Sequence, residues 1–144
     1  MFSKACEYAI RSVLYIAVKS TDGSRLGIKE IAREIDSPVP FTAKILQTLS
    51  RKGSIASAKG PKGGFFIKSR SKPVPLSAIV KAIDGNDPLR ACPLGLKECS
   101  DRCPCPIHHE VKPYKERLRL ALMQKNVQQL AKDLTQKKTF LKYG

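Results

Sequence analysis

Cysteine is sparse in this chain except at one place. Four of its five cysteines lie in "ACPLGLKECSDRCPCPIHHE", residues 91–110, together with both of its histidines. The spacing is Cys92-x6-Cys99-x3-Cys103-x-Cys105, with His108 three residues further on. Thiols and an imidazole at such density have three chemistries open to them. They can build a disulfide framework, close on a structural zinc ion, or cage an iron–sulfur cluster. The odd cysteine count speaks against a disulfide framework. So does the N-terminus, where Glu7 and Arg11 interrupt the apolar stretch and no small-residue cleavage site follows. The expectation is a cytoplasmic protein with reduced thiols.

Structural zinc usually takes tight C-x2–4-C knuckles. Only Cys99-x3-Cys103 approaches that form, and Cys103-Pro-Cys105 is too short for it. The segment has neither helical nor strand period and is broken by Pro93, Gly95, Pro104 and Pro106. A loop of that kind can wrap sulfurs around an object larger than one ion, and some clusters accept histidine at the fourth position. Spacing alone leaves zinc and a cluster both open. A thiol redox enzyme using Cys103 and Cys105 is a further alternative, but no C-x-x-C or Cys–His–acid arrangement speaks for it.

Such a loop has to be carried by folded elements. The chain has 144 residues, 42% hydrophobic and 27% charged, enough for a real core. No apolar run nears the ~18 residues of a spanning helix. Helical period predicts a first helix over 4–20 on Ala5, Ala9, Ile10, Val13, Ile16 and Ala17, capped by Ser3 and stopped by Asp22-Gly23. A second covers about 28–35, and a third starts at Pro40 and ends at Gly53. The third helix has Phe41, Ile45, Leu46 and Leu49 as its apolar face, with Thr42, Lys44, Gln47, Thr48 and Arg51 opposite. Two β-like runs, 54–58 and 65–68, flank the turn "KGPKGG" as a hairpin. A fourth helix is predicted over 76–83, ended by "DGNDP". A long amphipathic helix follows over 107–125, with Val111, Tyr114, Leu118 and Leu122 as its stripe. Asn126 is a candidate cap for a last short helix, with Gln129 completing a capping box.

Helix, short helix, turn, helix and basic hairpin is the layout of a winged helix-turn-helix, whose third helix enters the major groove of double-stranded DNA. Charge agrees. The net charge is +15, and nine Lys or Arg with no acid lie between Asp36 and Asp84. A one-signed surface draws in a polyanion. The candidate DNA contacts are Pro40, Thr42, Lys44, Gln47, Thr48, Arg51, Lys59, Gly60, Lys62 and Gly63.

Five segments in order carry a resemblance: "ACEYAIRSVLYIA", "VPFTAKILQTLSRKG", "AKGPKGGFFI", "LSAIVKAIDG" and the C-x6-C-x5-C set. Together they resemble the IscR/NsrR family of bacterial winged-helix regulators, over nearly the whole chain. The resemblance implies a homodimeric transcription regulator that senses through an iron–sulfur cluster. It implies Cys92, Cys99 and Cys105 as thiolate ligands. For the fourth ligand it offers His108, as in IscR-like members, or Glu7 from the partner's first helix, as in NsrR-like members. These options imply [2Fe–2S] and [4Fe–4S] respectively, and the Cys105-Pro-Ile-His108 spacing leans to the first. Cys103 is additional to the family pattern, an alternative ligand or nearby thiol. Lys59 stands where an arginine commonly begins the wing, which removes bidentate base readout.

The expected architecture is mainly α with a small β-hairpin wing (α+β). Residues 1–84 form the winged helix-turn-helix domain, 85–106 the cluster loop, and 107–144 the dimerisation helix and a C-terminal helix. Cys6, Tyr8, Tyr15 and Phe41 are expected in the core and His109 in solvent. Glu7 equally suits the N-terminal dipole of helix 1.

Overall fold

The first helix, α1 (Lys4–Lys19), is the central strut, because its apolar residues cover more than one face. Cys6, Ala9, Val13, Ile16 and Ala17 are all buried, and Ser3 caps it by accepting the N–H of Cys6 at 3.0 Å. Around it stand α2 (Ile28–Glu34), α3 (Val39–Arg51), α4 (Leu76–Asp84), α5 (His108–Gln124) and α6 (Val127–Thr135). The computed structural model describes residues 2–86, 88–97 and 99–142; Asp87, part of the expected stop after α4, lies outside them. Among the described residues the only sheet is the hairpin β1 (Ala56–Ala58) and β2 (Gly64–Phe66), paired antiparallel with Ser57 opposite Phe65.

One core joins α1 to α2, α3, β2, α4 and α6 through Val13, Ile16, Ile31, Leu46, Leu49, Phe65, Ile79 and Val127. Each large aliphatic buried there contributes about 1.5–3 kcal/mol. A smaller cluster of Cys6, Val80, Leu89 and Leu122 ties α1, α4 and α5 together. Cys6 is thus a core residue, as expected.

The hairpin strands are shorter than their sequence runs, for identifiable reasons. Ser54 and Ile55 are taken by the end of α3, where Gly53 turns at φ 83° and Ser54 N–H bonds the Leu49 carbonyl at 3.0 Å. On the other strand, Ile67 N–H leaves the ladder for the Ser20 hydroxyl at 3.2 Å. The wing is also pinned from below. Leu26 and Phe65 exchange backbone hydrogen bonds of 2.9 and 2.8 Å.

The C-terminal segment 107–144 is not one unit. Asn126 caps α6 as its sequence suggested, accepting the Gln129 N–H at 2.9 Å. However, α6 returns to α1 and seals the main core with Val127 and Ala131. Leu76 N–H bonds the Lys125 carbonyl at 3.0 Å and Val127 N–H the Val74 carbonyl at 2.8 Å, so the α5–α6 junction is fastened to the start of α4.

The stripe expected on α5 divides between two environments. Leu122 is buried with Leu118 packed beside it, while Tyr114, Leu120 and Met123 are exposed. Starting the helix at His108 and docking its far end on Val80 turns the Leu118–Leu122 side inward.

Candidate nucleic-acid interface and metal centre

The basic face is built by α3 and the wing. Pro38 precedes α3 as its cap, and Pro40 sits in the first turn, where a missing N–H is harmless. Lys44, Gln47 and Arg51 are exposed along one side, with Thr48 half-buried and its hydroxyl donating to the Lys44 carbonyl at 3.1 Å. Beside them lies an open groove of about 520 Å³ lined by Gln47, Arg51, Lys59, Gly60 and Gly63 among others. Lys62 is exposed at the hairpin tip. Gly60 takes φ 99°, and a Cβ at Gly63 would lie 2.2 Å from the Ala58 carbonyl oxygen, so this tip requires both glycines.

Two placements on α3 differ from expectation. Thr42 is fully buried rather than facing the groove. Since α3 begins at Val39, Thr42 falls in register with Ile45, Leu46 and Leu49, and its hydroxyl is satisfied internally by the Pro38 carbonyl and the Ser37 hydroxyl, each at 2.9 Å. Thr42 is therefore removed from the groove-facing set. Phe41 instead lies at the surface, 36% exposed, edge-on to Tyr8 at 5.7 Å.

The cysteine loop leaves α4 through Gly85 and is fixed at its start by Leu89, which is buried in the smaller cluster. Gly95, at φ 78°, turns the chain back with its N–H on the Cys92 carbonyl at 2.9 Å, and Cys99 N–H bonds the Arg90 carbonyl at 3.1 Å. Cys92 is buried, Cys99 and Cys105 are half-buried, Cys103 is exposed, and no cysteine is disulfide-bonded. Burial pushes the Cys92 thiol up. The N–H groups of Leu94 and Leu96, the Cys105 thiol and the Lys115 ammonium outweigh burial, leaving it below the ordinary thiol value. Lys115 also donates to the Ala91 carbonyl.

The loop closes on His108, the first residue of α5, whose N–H bonds the Cys105 carbonyl at 3.0 Å. His108 is 3% exposed, whereas His109 faces solvent. Its Nδ1 lies 3.3 Å from the Cys99 sulfur and its Nε2 2.8 Å from Asp101 Oδ1. Asp101 also accepts both bonds of Lys112, at 2.9 and 2.7 Å. The Lys112 bonds, then His108, hold the Asp101 carboxyl down at about 2. Asp101 in turn raises Lys112 above its ordinary value.

Asp101 and Lys112 were missed from sequence, and so was the Cys–His–acid arrangement that the fold makes from Cys99, His108 and Asp101. The available signal was the i,i+4 placement of His108 and Lys112 at the start of a helix, with a carboxylate in the loop before it.

For metal binding, the donor set has the right chemistry. Cys99 lies against His108, the Cys105 thiol helps to lower Cys92, and Cys103 is exposed. Among the described residues no three such donors converge closely enough for a single ion. Glu7 is exposed on α1 and paired with Lys4 at 3.3 Å.

The profile of the Rrf2 family, iron-dependent transcriptional regulators, matches residues 2–133. The chain belongs to that family. An Rrf2 assignment agrees with the fold, with the resemblance seen in the sequence, and with a transcription regulator rather than an enzyme. An HTH-type transcriptional regulator of Aquifex aeolicus is 28% identical over 120 residues, 82% of either chain. Among solved structures, CymR, the global cysteine regulator of B. subtilis, superposes with a TM-score of 0.70 at 17% identity, covering 92% of this chain and 96% of that one. IscR of T. potens gives 0.69 at 16% identity, covering 99% and 94%. These structures share the winged-helix architecture, and Rrf2 regulators of this architecture bind DNA. No helix among the described residues is long and apolar enough to cross a membrane.

Proposed function

We propose that this Rrf2 regulator is a cytoplasmic homodimer whose affinity for double-stranded DNA is set by an iron–sulfur cluster held by Cys92, Cys99, Cys105 and His108. The buried His108 at the end of the cysteine loop, 3.3 Å from the Cys99 sulfur while Cys103 stays exposed, carries the reading. A bound cluster would supply a redox- and ligand-sensitive iron centre. The protein's part is to translate the state of the loop into the pose of the reading head. Leu89 packs with Cys6, Val80 and Leu122, so a shift at the loop's start is felt by α1, α4 and α5 together. Tightening the loop then biases how two α3 helices are presented, and the DNA affinity changes by the free-energy difference between those poses.

His108 is favoured over Glu7 as the fourth ligand by its burial and its contact with Cys99, which points to [2Fe–2S]. The exposed Tyr114, Leu120 and Met123 on α5 support burial against a second copy.

Anaerobic purification followed by visible spectroscopy and iron and sulfide counts tests the proposal. Wild type should be coloured; Cys92→Ala, Cys99→Ala and Cys105→Ala should be colourless yet folded; Cys103→Ala and Cys6→Ala should stay coloured. Bleaching by Cys103→Ala but not by Cys105→Ala overturns the ligand set. A colourless wild type containing zinc points instead to a zinc-stabilised DNA-binding protein.

A further inference from the structure

We propose that Asp101, braced by Lys112, is a positioning residue that holds His108 with its proton on Nε2 and its Nδ1 lone pair toward Cys99, making Nδ1 the nitrogen offered to the cluster. The proposal rests on the cluster reading above and adds a residue outside the ligand set. A neutral imidazole has one donor and one acceptor nitrogen, and the partner of one nitrogen decides the role of the other. A carboxylate that already receives two bonds from an ammonium has only lone pairs to offer. At 2.8 Å from Asp101 Oδ1, Nε2 must therefore be the donor. Nδ1 is left facing sulfur at 3.3 Å, in a ring that is 3% exposed.

The brace spans two elements. Asp101 lies in the loop between Cys99 and Cys103, and Lys112 lies on α5 one turn beyond His108. Through it, the histidine is oriented by its own chain. Donation to a carboxylate also fixes the ring's orientation, which makes Nδ1 a better placed ligand. Each protomer then completes its own donor set, with no ligand required from the partner's α1.

The experiment uses protein labelled with [15N]histidine. In the cluster-free wild type, His108 should show a protonated-type shift at Nε2 and a lone-pair-type shift at Nδ1. Exposed His109 serves as internal reference. Asp101→Ala should move His108 toward the averaged pattern of His109, and Asp101→Asn, which keeps an acceptor oxygen at the same reach, should restore it. After anaerobic reconstitution, Asp101→Ala should lose its cluster to a chelator about ten- to a hundredfold faster than wild type. It should also weaken the nitrogen coupling in pulsed EPR of the reduced cluster. If Asp101→Ala fails to fold, Lys112→Met should give the same shift in smaller measure.

A proton on Nδ1 in the wild type overturns the proposal, as does an Asp101→Ala protein with unchanged His108 shifts, chelator rate and nitrogen coupling. Wild-type protein that takes up no iron or sulfide sinks the cluster reading instead. The cluster-free tautomer then still decides whether Asp101 orients the ring.

Discussion

The carboxylate of Asp84 accepts the backbone N–H of Ser3 at 3.0 Å and the Ser3 hydroxyl as well, so the last residue of α4 holds the first turn of α1. Ser3 in turn caps α1 at Cys6, and Asp84 stands one residue before the glycine that opens the cysteine loop. Loop, α4 and α1 thus meet at one polar joint. Asp84→Ala should destabilise the fold by about 1–2 kcal/mol, the usual loss for hydrogen bonds to a charged acceptor. Urea unfolding checks it, and Ser3→Ala made on top of Asp84→Ala should add much less than it does alone.

Lys44 on α3 and Lys59 on the wing are both exposed, and Lys59 lines the groove. Replacing either with Ala should weaken DNA binding and flatten the salt dependence by about one counterion, if its contact is to phosphate. Thr42→Ala should behave differently, reducing stability by about 1–2 kcal/mol while leaving the salt slope alone, since its hydroxyl bonds only within the protein. Titrations at several salt concentrations separate the three. Unchanged binding in both lysine variants would sink the docking of α3 and the wing.

Met123 and Leu120 are 59% and 53% exposed near the end of α5, whereas Leu118 packs against the protomer's own cluster. Met123→Glu should therefore dissociate the proposed dimer and leave the thermal midpoint of the monomer nearly unchanged. Leu118→Glu should lower that midpoint as well, because it places charge beside buried apolar groups. Sedimentation at micromolar concentration gives the oligomeric state. A wild type that runs as a monomer with and without cluster refutes the dimer.

The Tyr15 hydroxyl on α1 donates to Glu30 Oε1 on α2 at 3.0 Å. Burial, then this hydrogen bond and the Glu30 charge, push the phenol from 10.0 up to about 12. The folded state therefore keeps a proton that the unfolded chain loses first. The contribution is complete below about pH 10 and disappears as pH rises toward 12. Tyr15→Phe should remove about 1 kcal/mol at neutral pH. It should also make the alkaline decline in stability shallower, measured as unfolding free energy between pH 9 and 11. Parallel curves for the two proteins would contradict it.

The helices were legible because their signals are local. The Ser3 cap, the Asn126 cap and the apolar periods of α1, α4 and α6 all reappear within a residue or two. Facing was less legible. Thr42 and Phe41 exchange sides because a threonine can bury its methyl once its hydroxyl finds a carbonyl one turn back, which hydropathy alone does not register. The inward turn of Leu118 and Leu122 depends on where α5 docks, a tertiary fact with no sequence period of its own. The loop cysteines were visible by type and spacing. Asp101 was not, since a carboxylate seven residues from a histidine has no meaning until the loop folds back.

Packing of α6 onto α1 bears on how the molecule is made. The back of α1 is covered by Val127 and Ala131, more than a hundred residues later in the chain. Until that segment is synthesised, the underside of α1 stays bare, and the winged head cannot reach its final stability. Closure of the head is a long-range event, slow relative to hairpin or single-helix formation. The thiols of 92–105 precede that segment in the chain, so they are synthesised before the reading head can close.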